Sequence, residues 1–161
     1  MEQLLLAHEL THALQDQRLG LHARMKALRD STDALLALQA VLEGEATILM
    51  TEALMESVPG DAREALGSDP VDQILDGLDD PSAVEGAEGV PDFFVRELVF
   101  PYAAGTAWVR QKKANGGWAA IDAAYRDLPS TTSQILRPGI VLAARKRLSR
   151  SDRPVPGPVP G

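Results

Sequence analysis

The sequence contains no cysteine, few aromatic residues and no excess of positive charge. Without cysteine there are no disulfide bonds or thiolate metal sites, so any metal ion must be held by histidine or carboxylate side chains. Aromatic residues make up 4% of the chain and hydrophobic residues 45%, so leucine, alanine, valine and isoleucine must form the core. That composition favours packed helices over a sheet. The formal net charge of -7 argues against binding to nucleic acid, because little positive charge is left to neutralise phosphates.

Targeting and membrane segments are not expected either. The start of the chain carries no basic segment and only a short apolar run, so we predict no signal peptide. No stretch reads as long enough to span a membrane. The 161 residues suit one domain over residues 1–150, followed by a tail over 151–161 that is rich in proline and glycine and is predicted to be disordered.

Apolar residues recur at helical spacing along most of the chain, so we predict a mainly α fold with little or no β-sheet. Residues 21–31 read as a helix extension or a connecting arm. The acidic residues 61–92 read as a solvated loop, in which only Ile74, Leu75 and Leu78 suggest a short helical turn. A bend is expected at Pro101 and a break at 115–117, where Asn-Gly-Gly follows a helical pattern. The predicted helices span residues 2–18, 33–58, 93–114 and 118–127, with a basic helix over 139–149.

The chemistry is concentrated in the motif His8-Glu9-Leu10-Thr11-His12. Two histidines four residues apart lie on one face of a helix, one turn apart, and can reach the same metal ion at about 2.0–2.1 Å for zinc. Glu9 lies beside that face, where it could act as general base on a water that zinc acidifies from a pKa of 15.7 to roughly 7. The plain alternative is a helix with two exposed histidines and a nearby glutamate.

A zinc site needs a third protein ligand. The position six residues after His12, where a metzincin has histidine, is Arg18, and His22 reads as a surface residue beyond the helix end. A carboxylate from the second long helix remains, and Glu43 and Glu45 both lie within its apolar stretch. They are two residues apart, on nearly opposite sides of the helix, so only one can face the metal. Glu45 has the more apolar neighbours and Glu43 the smaller ones, and spacing alone leaves both open.

Two segments resemble the zinc-binding helices of thermolysin-type gluzincins. Residues 8–13 resemble the active-site helix of that group, and residues 42–46 resemble its glutamate helix. The resemblance implies that Glu43 is the third ligand, with Ala46 as the small residue that commonly follows it by three positions. It also implies the helical portion of a zincin-like fold and zinc-dependent hydrolysis of peptide bonds. Many relatives have an aspartate that braces a zinc-bound histidine where this chain has Thr47.

A wider resemblance, to a set of predicted bacterial metallopeptidases, covers about residues 5–140. Its blocks here are His-Ala-Leu-Gln-Asp-Gln, Glu-Gly-Glu-Ala, Phe-Pro-Tyr-Ala-Ala-Gly, and Gly-Trp followed by Ser-Thr-Thr-Ser-Gln-Ile-Leu-Arg-Pro. Arg137 stands where those proteins usually have histidine. The resemblance further implies a small sheet before the active-site helix. Because only a few residues precede His8, that part of the family domain is expected to be missing from this chain.

The predicted function is therefore zinc-dependent hydrolysis of a peptide or protein substrate, with Zn²⁺ as cofactor and Glu9 as general base. A tetrahedral intermediate needs a second donor for its oxyanion. Tyr102 is the first candidate and Arg137 the second, although Tyr102 also reads as a packing residue with its hydroxyl at the surface. The alternative function is that of an inactive or incomplete zinc-binding relative that acts as a helical interaction module.

Overall fold

The computed structural model describes residues 2–65, 69–79, 84 and 86–137. This part of the chain forms seven helices and no strand, which confirms the prediction of a mainly α fold. The basic helix predicted over 139–149 and the tail over 151–161 lie outside the described residues. The helices are α1 Glu2–Leu19, α2 Leu21–Leu28, α3 Thr32–Ser57, α4 Gly60–Ala65, α5 Pro70–Asp79, α6 Asp92–Ala124 and α7 Thr132–Leu136.

Helix α3 lies at the centre of the fold and packs against α1, α2, α5, α6 and α7. Its sequence is apolar over most of its length, and many of its buried residues are small, which lets neighbouring helices approach closely. The largest interfaces of α3 are with α6 and α1. The motif helix and the glutamate helix predicted from the sequence are therefore in direct contact. The buried residues of α3 include Ala34, Ala37, Leu38, Ala40, Val41, Leu42, Gly44, Ala46 and Ile48.

By length and composition alone, α3 could also cross a membrane. Its most apolar window has a mean hydropathy of 1.4, so the prediction that no stretch is long enough for a span is wrong on these two criteria. However, 61% of that window is buried inside the fold. The core helix of a globular protein gives the same pattern, because the residues that exclude water are those that pack against the surrounding helices.

Two glycines bring the backbones of α3 and α6 into contact. A Cβ atom added at Gly44 would lie 2.8 Å from the backbone nitrogen of Thr106 and still closer to the Gly105 carbonyl. A Cβ atom added at Gly105 would overlap the backbone carbonyl of Ala40. Only residues without a side chain permit this crossing. It places the residue before Gly44, which is Glu43, next to α6.

The acidic segment differs from its prediction as a solvated loop, because α4 and α5 lie within it. Val71 on α5 is buried in the core, and Leu75, one turn later, packs against it. The Asp69 carboxylate accepts a hydrogen bond from the Val71 backbone N–H and caps the start of α5. Arg110 on α6 forms ion pairs with Asp69 and Asp72. Capping and pairing thus place acidic residues on a packed helix, whereas charge density alone suggested a loop.

The break predicted after the third long helix is confirmed at a glycine pair. Helix α6, Asp92–Ala124, consists of two helical stretches joined across a kink at Gly116 and Gly117, where the backbone is non-helical. Gly117 has φ 62°, in the left-handed region that favours glycine. The helix passes through Pro101, where the dihedral angles stay helical. Thr131 and Gln134 form a capping box at the start of α7.

Candidate metal centre

Helices α1 and α3 bring the three predicted metal ligands together. The Nε2 atoms of His8 and His12 are 3.1 Å apart. The Glu43 Oε2 atom is 3.2 Å from His8 Nε2 and 3.4 Å from His12 Nε2. The two histidines project from one face of α1, as their four-residue spacing predicts, and Glu43 reaches them from α3. These residues form the one His, Cys, Asp or Glu group in the described chain whose donor atoms could all reach a single ion.

The three donor atoms have the spacing that a zinc ion requires. Tetrahedral coordination with bonds of about 2.0–2.1 Å places neighbouring donor atoms about 3.3–3.4 Å apart. The three observed distances, 3.1, 3.2 and 3.4 Å, come close to this value without rearrangement of the helices. Three protein donors on one side also leave a fourth position for water or substrate, as in catalytic zinc sites. The donor set therefore fits zinc.

The buried oxygen of Glu43 supports a cation at this point. Glu43 Oε2 is shielded from solvent and accepts no hydrogen bond from the residues that the structure describes, although it is close to both imidazole nitrogens. A buried carboxylate oxygen without a donor is costly, and a bound cation removes that cost. A helix that merely carries two exposed histidines, the plain alternative, would not place a buried carboxylate oxygen without a hydrogen-bond donor next to both imidazole nitrogens.

Glu45 lies beside the cluster but outside it. Its Oε2 accepts hydrogen bonds from Gln15 Nε2, at 2.8 Å, and from the Tyr125 hydroxyl. Burial raises the pKa of Glu45, while the hydrogen bond from Gln15 and the charge of Arg18 act in the opposite direction. Its direct partners are thus two neutral side chains, and Arg18 forms its ion pair with Asp122.

Glu9 and Tyr102 both lie close to the cluster. Burial raises the pKa of Tyr102, and so do the negative charges of nearby Glu43 and Glu9. The phenol is therefore neutral at ordinary pH and can donate a hydrogen bond. Glu9 is exposed to solvent on α1. Side chains from three helices, α1, α3 and α6, thus meet at the three-donor cluster.

Two other sequence candidates do not join the cluster. His22 is exposed on α2 and is not part of the three-residue group. Arg137 is exposed at the C-terminal end of α7, and within the described part of the chain no contact links its side chain to the cluster. The α7 helix is held by Asp33, whose Oδ1 accepts hydrogen bonds from the backbone N–H and the hydroxyl of Thr132, at 3.0 and 2.6 Å.

Gln15, which contacts the candidate ligand His12 directly, was not identified from the sequence. Thr47, at the position of the family's bracing aspartate, is buried, and its backbone carbonyl accepts a hydrogen bond from Thr51. The contact to His12 comes instead from Gln15, whose Oε1 is 2.9 Å from His12 Nδ1. The available signal was their spacing, because residues three apart on a helix are neighbours on its surface.

No protein-family model matches this chain, and no significant match is found among curated proteins or solved structures. The resemblance to gluzincins and to the predicted bacterial metallopeptidases therefore remains a prediction. The geometry of the His8, His12 and Glu43 cluster is the observation from which a function can be inferred.

Proposed function

We propose that this chain is a zinc-dependent peptidase of the gluzincin type. The observation that carries the proposal is the convergence of His8 Nε2, His12 Nε2 and Glu43 Oε2 within 3.1–3.4 Å of one another. Two neighbouring groups of suitable chemistry, Glu9 and Tyr102, supply further support. The motif and glutamate helix that resemble those of gluzincins point to the peptide bond as the bond that is cleaved.

In this proposal, His8, His12 and Glu43 would hold a zinc ion, which would supply Lewis-acid chemistry to acidify water and polarise the carbonyl group. Glu9 accepts a proton from the attacking water and delivers it to the amine leaving group as the C–N bond breaks. Tyr102 donates a hydrogen bond to the carbonyl oxygen as negative charge develops on it. Hydrolysis thus consumes one water and yields one carboxylate and one amine.

Replacing Glu9 with glutamine tests the peptidase proposal. We expect Glu9→Gln to reduce hydrolysis of a mixed peptide library by about 10²–10⁴-fold, the usual contribution of a general base, and to leave the zinc affinity within about twofold. Cleavage is followed by mass spectrometry, and zinc affinity by competition with a chelating dye. Glu56→Gln is the matched control, because Glu56 is an exposed glutamate at the C-terminal end of α3 and is not part of the three-residue cluster. Equal hydrolysis by the Glu9→Gln variant and the wild type would contradict this role.

Removing the hydroxyl of Tyr102 tests the proposed oxyanion donor. Tyr102→Phe should lower kcat by about 10²-fold, as loss of one such donor typically does, with little change in KM or zinc affinity. A change confined to kcat distinguishes a transition-state contact from a packing role. If kcat is unchanged and only thermal stability falls, Tyr102 is a packing residue and the assignment is wrong.

The second candidate function is that of a zinc-binding helical interaction module without turnover. It is favoured by large apolar side chains that remain exposed at the start of α6, where Phe93 is 69% and Leu98 66% exposed. Exposed apolar patches commonly mark interaction surfaces. Zinc binding without cleavage of any library peptide by the wild type would favour this function over the peptidase. The exposed apolar residues of α1 and of the α6 start are Leu5, Leu6, Leu10, Leu14, Phe93, Phe94 and Leu98.

A further inference from the structure

Gln15 is a buried polar residue that contacts His12 at Nδ1, the ring nitrogen that does not face Glu43. It is 4% exposed and lies on α1, almost one turn after His12. The two ends of its amide face different groups. Its Oε1 is 2.9 Å from His12 Nδ1, while its Nε2 is 3.1 Å from the Leu42 carbonyl oxygen and 2.8 Å from Glu45 Oε2.

The Leu42 carbonyl determines how this amide is oriented. A backbone carbonyl oxygen can only accept a hydrogen bond, so the group of Gln15 that faces it must be the NH₂ group. The reverse orientation would point the amide oxygen at a carbonyl oxygen and a carboxylate. Oε1 of Gln15 therefore faces His12, and since this oxygen can only accept, His12 Nδ1 must carry the ring proton.

We propose that Gln15 is a positioning residue that holds His12 in the tautomer protonated at Nδ1. In the neutral ring this leaves Nε2 with a free lone pair, and Nε2 is the atom that lies 3.4 Å from Glu43 Oε2. The inference rests on the proposed zinc site, where that lone pair binds the metal. A hydrogen bond to the outer nitrogen also fixes the plane of the ring and makes the ligand atom more basic.

Glu45 and Tyr125 complete this arrangement from two other helices. Tyr125, just after α6, is buried and donates its hydroxyl hydrogen to Glu45, and Glu45 on α3 accepts from Gln15 on α1. The two acids of the Glu-Gly-Glu segment thereby take different roles. Glu43 faces the histidines, whereas Glu45 holds the amide that orients one of them. Glu45 acts through Gln15 and is a positioning residue.

The experiment measures the ring tautomer and the zinc affinity of the full-length protein. Nitrogen-15 NMR of the neutral histidine rings in the zinc-free protein distinguishes the two tautomers. We expect wild-type His12 to be protonated at Nδ1. Gln15→Met removes the amide at similar length, and it should give a mixture of tautomers and raise the zinc Kd by about 10–100-fold, the usual effect of losing an outer partner.

Thr51→Val is the control, because Thr51 is a buried polar residue on α3, two turns after Glu43, and its hydroxyl donates to the Thr47 carbonyl. It should leave the His12 tautomer unchanged and the zinc Kd within about twofold, because the hydrogen bond that it loses lies within α3 and does not involve a metal ligand. A wild-type His12 protonated at Nε2 overturns the inference, even if Gln15→Met fails to fold. So does a Gln15→Met protein with wild-type tautomer and affinity.

This experiment distinguishes failure of the proposed zinc-dependent function from failure of the proposed role of Gln15. If the wild type binds no zinc, the proposed function is wrong, while the tautomer in the zinc-free protein still decides the role of Gln15. If the wild type binds zinc and the Gln15→Met variant binds it equally well, the role of Gln15 is wrong and the zinc site stands.

Discussion

Replacing Glu43 with glutamine is expected to weaken zinc binding by more than about 100-fold, beyond the 10- to 100-fold range typical of an outer partner. Glu43 supplies the carboxylate oxygen that lies 3.2 and 3.4 Å from the two imidazole Nε2 atoms. An amide has no negative charge and is a poor zinc ligand, so two histidines alone would remain. The measurement is a competition titration of each purified variant against a chelating dye of known affinity.

Glu45→Gln is the matched variant, two residues along the same helix. The new amide oxygen can still accept a hydrogen bond from Gln15 Nε2, so His12 stays oriented and the zinc affinity should stay within about tenfold. Circular dichroism would verify that both variants keep their helical content. A strong loss of affinity in Glu45→Gln with little loss in Glu43→Gln would show that the wrong carboxylate has been assigned.

Replacing Gly44 with alanine is expected to destabilise the fold by about 2 kcal/mol, the upper end of the usual overpacking cost less the gain in helix propensity. The intrinsic helix propensity of alanine would favour the change by about 1 kcal/mol, but overpacking a core commonly costs 1–3 kcal/mol and occasionally more. Here the added methyl group would meet the backbone of Gly105 and Thr106, which cannot rotate aside as a flexible side chain can. The cost should therefore exceed the gain. Chemical denaturation gives the free energy of unfolding.

Gly77→Ala provides the matched control. Gly77 lies within α5, and a Cβ atom added there would meet no atom within 4 Å. Only helix propensity then changes, so the variant should be more stable by up to about 1 kcal/mol. Opposite signs for the two substitutions would support backbone contact between α3 and α6. A Gly44→Ala protein as stable as the wild type would contradict that contact.

The sequence predicted the long helices and the pairing of His8 with His12 because both depend on local periodicity. Residues four apart share a helix face, so the motif already placed His8 and His12 side by side. The choice of Glu43 over Glu45 rested on its smaller neighbours, which permit close approach of two helices, and on the resemblance to the glutamate helix of gluzincins. In the structure, Glu43 does face the histidines, and Gly44 forms the close crossing with α6.

The contacts that the sequence could not predict join residues far apart in the chain. Gln15 and Tyr125 are within hydrogen-bond distance although 110 positions separate them, and no local pattern encodes that pairing. The same holds for Arg110, whose ion pairs with Asp69 and Asp72 attach α5 to α6. The acidic segment was interpreted as a solvated loop because its charges were visible in the sequence and their partner was not.

X-ray absorption at the zinc edge tests the central claim most directly, on protein loaded with zinc and then freed of excess metal. We expect about one zinc per chain, with two imidazole nitrogens and two oxygen donors at about 2.0–2.1 Å, one oxygen from Glu43 and one from water. The His12→Ala variant should retain no zinc. Wild-type protein that retains no zinc, or whose zinc spectrum lacks two imidazole ligands, would contradict the assignment of His8, His12 and Glu43 as a metal centre.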